Sequence, residues 1–240
     1  MASPARLTVR SVREQRLLVG KVPTRVFEPE GARALLLLGH GGGHGKDGSR
    51  FVRLGRHYAA QTVCSVVCID AVDHGERRLV AAADGVPRGW HSRAMPRVVA
   101  DWQAVVAHLS SVGPPLAYVG FSMGALFGLA TVAAMASITA AVLVAGGLPG
   151  GGWTDDAELV PLLTTAATKL GHAHVLMLNK EDDELFPESG ARALFEHVVA
   201  RSKRLAFSPG GHDEWGPEMI DASVRFVREH ARTRAPGEQW

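Results

Sequence analysis

The chain has 240 residues, with 26 Lys plus Arg against 24 Asp plus Glu, a formal net charge of +2 and 46% hydrophobic residues. Near-balanced charge, with no basic stripe and no interleaved aromatics, excludes a nucleic-acid partner held by electrostatics. The length is normal for one domain, 1–240, built on a large sheet, and suffices to bury a substantial core.

In chain order, Leu7 to Val12, Arg16 to Val19 and Lys21 to Phe27 predict an antiparallel opening. Met1 to Gln15 lacks the apolar run of a secretory signal. Ala34 to Leu38 is a short apolar run of the kind that forms a strand buried in a parallel sheet. It ends in Gly39-His-Gly-Gly-Gly-His-Gly45, a backbone too bare to be core. Glycines there let main-chain N–H groups come close to a ligand oxygen. Gly45-Lys46 is followed by Asp47, so a nucleotide P-loop is not supported. A helix is predicted over Ser49 to Gln61 and a strand over Val63 to Ile69. That strand carries both cysteines, Cys64 and Cys68, which four residues of extended chain separate by about 13 Å, beyond disulfide reach. They read as reduced core residues and imply a reducing, cytoplasmic compartment.

A helix over Arg97 to Ser110 precedes the strand Leu116 to Val119, which runs into Gly120-Phe-Ser-Met-Gly124 and then a small-residue helix, Met123 to Met135. G-x-S-x-G between a strand and a helix is a nucleophile elbow, a turn so tight that bulky neighbours are excluded. Ser122 thereby sits at a helix N-terminus, whose free N–H groups and positive dipole end favour developing negative charge. A serine hydroxyl needs a base, and the base an orienting acid, in the chain order Ser, Asp or Glu, His. Val142 to Gly146 is a strand with no acidic residue after it until Asp155, and a helix is predicted over Asp156 to Leu170. The strand Val175 to Leu178 leads into Asn179-Lys-Glu-Asp-Asp-Glu184, where Asp183 and Asp182 are the candidate acids. After a helix over Pro187 to Arg201, the strand Arg204 to Phe207 ends in Pro209-Gly-Gly-His212, ahead of a helix over Pro217 to Arg232. Both candidates lie past the C-terminal end of a strand, where open parallel sheets place their ligand crevices. Alternating strands and helices predict an α/β architecture covered on both faces, with loose ends at Met1 to Ala5 and Thr233 to Trp240.

Eleven histidines compete for the role of base. His197 and His230 fall in charged helical segments and read as surface residues; His108 sits in a helix, and His172 and His174 border a strand. No Cys/His/carboxylate cluster shows metal-ligand spacing, and glycines, not a helical turn, separate His40 from His44. Neither metal nor cofactor is expected. Gly124 to Leu148 is apolar and long enough to span a bilayer, but it begins at the elbow and divides into a helix and a β-branched strand. Burial within a sheet protein explains it without stable membrane insertion.

His40-Gly-Gly-Gly43 after a strand, Asp70 through His74-Gly75 after the next, the elbow, Asp183-Glu-Leu-Phe-Pro187 and Gly211-His212 together resemble the α/β-hydrolase superfamily. The chain is most similar to its small dienelactone-hydrolase-like and carboxylesterase-like members, over roughly residues 16 to 231. The resemblance implies the α/β-hydrolase fold, with a mostly parallel sheet of about eight strands and helices on both faces. It further implies Ser122 as nucleophile, Asp183 as acid through the D-x-x-hydrophobic-Pro spacing, and His212 as base. Serine at position 122, where dienelactone hydrolases proper have cysteine, favours an ordinary ester.

The oxyanion would be held by the N–H of Met123 and one from the glycine loop, Gly42 first and Gly43 second. Two segments, Ala71 to Ala94 and Gly146 to Gly171, are positioned to shape specificity but are too short for a cap domain. The expected cleft is open, with Trp90, Trp153 and Met123 as candidate walls, and takes a small-molecule ester of small to medium size. The same triad serves thioesterases, lactonases and peptidases, and the same scaffold serves acyltransferases. A binding module that kept the fold is the non-catalytic alternative.

Overall fold

The computed structural model describes residues 11–62, 64–78, 88–150 and 156–231. Eight strands form one sheet in the order β1-β2-β4-β3-β5-β6-β7-β8. β1 (Val12–Val19) and β2 (Val22–Pro29) make a hairpin through a two-residue turn, and β2 runs antiparallel to β4 (Cys64–Ile69). From β4 onward every pair is parallel: β3 (Ala34–Gly39), β5 (Pro115–Phe121), β6 (Ala140–Val144), β7 (Leu170–Lys180) and β8 (Ala200–Ser208).

The continuous apolar runs conceal a period of two. Leu35 and Leu37 enter one core layer while Leu36 and Leu38 enter the other, and Ala141 and Leu143 oppose Val142 and Val144 in the same way. One layer is roofed by α2 (Trp90–His108), α3 (Met123–Ala133), α4 (Leu159–Ala167) and α5 (Glu188–His197). The other lies under α1 (Ser49–Gln61) and α6 (Pro217–His230). A strand covered on both faces needs apolar residues at every position, and this is why no alternation is visible in the sequence. The apolar stretch from Gly124 to Leu148 is divided between α3 and β6. Among the described residues no helix is long and apolar enough to cross a membrane.

Several boundaries move. The first strand is one element, Val12–Val19, where pieces ending at Val12 and beginning at Arg16 were expected; Leu7 to Arg10 lie outside the described residues. Helix α2 begins at Trp90, a full two turns before Arg97, because Pro96 lies inside it and does not break it. Helices α4 and α5 are shorter than expected, and β8 starts at Ala200, taking residues assigned to the end of α5. Cys64 and Cys68 are both buried and free, on the same face of β4. Burial pushes both thiols up, Cys64 to about 11, which leaves them unreactive.

Helix α3 lies close on the sheet. A Cβ at Gly128 would stand 2.4 Å from the ring of Tyr118, a fully buried side chain on β5. Ala in a helix interior ordinarily stabilises by about 1 kcal/mol over Gly, but here overpacking decides the sign. Gly128→Ala is expected to lower stability by about 1–3 kcal/mol, read from denaturant midpoints.

Candidate active site

Ser122 stands between the last residue of β5, Phe121, and the first of α3, Met123. Its backbone is held at φ 53°, ψ −116°, a region that costs a non-glycine residue about 1–3 kcal/mol. The surroundings impose it. The Ser122 N–H donates to Val144 O at 2.8 Å, and its carbonyl accepts from Ala125 N–H at 2.7 Å to start α3. A Cβ on Gly120 would lie 2.2 Å from Gly124 O, and one on Gly124 would lie 2.4 Å from Gly39 O. The elbow is thus pressed against the end of β3, and the Tyr118 hydroxyl donates to Gly124 O at 2.8 Å. The Ser122 hydroxyl caps nothing in its own helix; it lies 2.8 Å from His212 Nε2.

His212 follows β8 and Asp183 follows β7; both are buried. The two Asp183 carboxylate oxygens lie 3.0 and 2.9 Å from His212 Nδ1. Oδ1 also accepts the N–H groups of Leu185 and Phe186 at 2.9 and 2.8 Å. A carboxylate accepts only, so Nδ1 carries the proton it donates, and Nε2 is left to accept from the Ser122 hydroxyl. Glu181, Asp182 and Glu184 are exposed; Asp183, not Asp182, is the carboxylate on the imidazole.

The glycine loop comes to the same place. A Cβ on Gly41 would be 3.5 Å from Ser122 Cβ, whereas Gly42 and Gly43 are exposed, with open space around them. Met123 is buried at the first position of α3, where its N–H has no partner within the helix. His40 anchors the loop: its Nδ1–H donates to Gly41 O at 2.8 Å and its Nε2 accepts the Ala71 N–H at 3.0 Å. Burial pushes its pKa down to about 4, so the ring is neutral and suited to donate at one nitrogen and accept at the other.

A second anchor was not foreseen. Lys46 and Asp70 are almost wholly buried, their side chains 3.2 Å apart, and Asp70 also accepts the N–H groups of Lys46 at 2.7 Å and Glu76 at 3.0 Å. Desolvation pulls the Lys46 pKa down, but hydrogen bonds to Glu76 and Asp47 and the Asp70 charge more than reverse it, leaving it raised. The available signal was an acidic residue at a strand's C-terminal end and a lone lysine closing a run of glycines.

Of the candidate wall residues, Trp90 is a core residue. Its indole N–H donates to Asp73 at 2.8 Å and its ring packs on Phe127, His91 and His74. Trp153 lies outside the described residues. The two segments expected to shape specificity do meet, through Ser92 N–H and the Asp156 carboxylate at 2.7 Å. His197 is exposed, but His230 is not a free surface residue: it stacks on His174 at 4.2 Å and packs on Phe226. Among the described residues no group of three or more His, Cys, Asp or Glu is arranged to hold a metal ion.

A family model for the alpha/beta hydrolase family matches residues 35–233, and the chain belongs to that family. No curated protein is significantly similar to it. Among solved structures it is similar to a cold-adapted esterase from an Arctic intertidal metagenomic library, in a polyethylene-glycol-bound form. That match has 29% identity and a TM-score of 0.77, over 93% of this chain and 95% of that one. The Pyrococcus furiosus esterase Pf2001 shares the fold at 12% identity and TM-score 0.71, over 97% of both chains. TT1662 from Thermus thermophilus does so at 20% identity and TM-score 0.71, over 93% of this chain and all of the other. The fold is therefore an esterase-like hydrolase fold.

The buried His40 also makes stability depend on pH. Its folded pKa of about 4 lies below the ordinary value of 6.5, so the unfolded chain binds the proton more tightly. The stabilisation is complete above pH 6.5 and is lost as pH falls toward 4, on the order of 3 kcal/mol across that interval. Urea unfolding at pH 7 and pH 4.5 is expected to show a steeper loss for the wild type than for His40→Gln.

Proposed function

We propose that this protein is a serine hydrolase that cleaves carboxylic esters of small to medium size through an acyl-enzyme intermediate. The observation that carries the reading is the relay from Asp183 to His212 Nδ1 at 2.9 Å and from His212 Nε2 to Ser122 Oγ at 2.8 Å. A partly exposed hydroxyl in hydrogen-bond contact with a buried imidazole, itself on a buried carboxylate, forms the arrangement that general-base activation of a serine requires.

In this reading His212 takes the Ser122 proton as Oγ attacks the ester carbonyl. The imidazolium is stabilised by Asp183, which also fixes which nitrogen holds the proton. Charge developing on the carbonyl oxygen meets the N–H of Met123, at the positive end of α3, and one N–H from the loop Gly41 to Gly43. His212 then returns the proton to the leaving alcohol, and water, activated by the same base, releases the acid. Similarity to esterases supports the ester as the bond. No step calls on a metal or cofactor.

Turnover of p-nitrophenyl esters of graded acyl length, beside thioester, lactone and aminoacyl-amide substrates, tests the reading. The short and medium esters are expected to be turned over fastest. Ser122→Ala is expected to lower kcat on the order of 10⁴-fold or more with folding intact. Full activity in that variant would refute the assignment, and preference for another bond, or for an alcohol acceptor over water, would replace the ester.

A further inference from the structure

The backbone of the loop that carries His212 is short of side chains to hold it. Gly210 has φ 112°, a conformation that side chains rarely adopt, and Gly211 follows it, so little in the chain itself fixes where the imidazole points. Part of that freedom is removed locally. Asp182 N–H donates to Gly210 O at 3.1 Å, and the His212 N–H donates to the Glu184 carboxylate at 3.2 Å. Both contacts tie the base only to the acid loop beside it. Neither reaches Ser122, which follows β5, a strand separated from β8 by two others.

Trp215 bridges that gap. Its indole N–H donates to the His212 carbonyl at 2.7 Å. Its ring lies 4.7 Å from that of Phe121, the residue immediately before Ser122, and 6.3 Å from that of Phe51 on α1. Outside, the Arg50 guanidinium sits over the indole at 4.6 Å and reaches Asp213, the residue after His212, at 3.4 Å. One side chain therefore touches the backbone of the base and the ring adjoining the nucleophile.

We infer that Trp215 is a positioning residue that sets the separation of His212 from Ser122, with Glu184 holding the N–H of the same residue in the preceding peptide. The inference rests on the catalytic reading of Ser122 and His212. Productive proton transfer tolerates little error in distance, so a restraint on the imidazole contributes to kcat and leaves substrate binding almost untouched.

Trp215→Phe keeps a ring on Phe121 but deletes the N–H donor; Trp215→Leu removes both. Activity would be expressed per active site, titrated with a fluorophosphonate, so that any misfolded fraction is discounted. For Trp215→Phe, kcat is expected to fall about tenfold with KM within twofold, the scale of one lost hydrogen bond. The rate constant of phosphonylation, which uses the same proton transfer, is expected to fall in parallel. Trp215→Leu is expected to lose more. If Trp215→Phe keeps kcat per site within twofold of wild type, or loses only melting temperature and titratable sites, the positioning role is overturned. Ser122→Ala, assayed alongside, separates the two claims: activity there would remove the catalytic reading itself.

Discussion

A serine backbone forced to φ 53° is the constraint around which the molecule is organised. The conformation is unfavourable alone, and three neighbours hold it: β6 through the Val144 carbonyl, α3 through its first hydrogen bonds, and β3 through the near-contact of Gly39 with Gly124. None of these tolerates a side chain at Gly120 or Gly124, so the glycines are dictated by space. The result is a hydroxyl delivered to the sheet's C-terminal rim at the mouth of a helix, with its own capping role left vacant. The cost of the turn is met by the packing of the whole central sheet, which holds Ser122 as firmly as the core beneath it.

The remaining groups arrive from separate strands and are secured by different physics. Asp183 is locked by two main-chain donors, so its carboxylate has one orientation to offer the imidazole. The glycine loop has no side chains with which to pack, and is instead suspended from a neutral histidine and a buried ion pair. Burying Lys46 and Asp70 is costly, and their two mutual hydrogen bonds, with further ones to Asp47 and Glu76, make the arrangement tolerable. The base loop, also rich in glycine, depends on Glu184 and Trp215. Glycine-rich backbone beside Ser122 is thus combined with buried polar anchors one layer behind it.

Much of this was legible in the sequence, for identifiable reasons. Ser122 announces itself because the turn restricts its neighbours to glycine, and His212 because it follows a strand and a pair of glycines; Asp183 was told from Asp182 only by the spacing to Pro187 that the family resemblance supplied. Helix α2 was misjudged at its start because Pro96 resembles a terminator, yet the flanking turns carry enough buried apolar residues to keep the helix going. Trp90 was a candidate wall because it lies in one of the two segments positioned to shape specificity; its partner Asp73 is hidden by the chain's path. The anchors were invisible for the same cause. Lys46 with Asp70, His40 with Ala71, and Trp215 with Phe121 join residues 24 to 94 positions apart, and no local pattern encodes such contacts.

The central claim is that His212, held by Asp183, activates Ser122. Exposure of the folded protein to a fluorophosphonate, followed by intact mass and peptide mapping, tests it most directly. The account predicts a single adduct on the peptide containing Ser122, formed at least a hundredfold more slowly in His212→Gln, on the order of a lost general base. An adduct on another residue, or equal labelling rates with and without the imidazole, would contradict it.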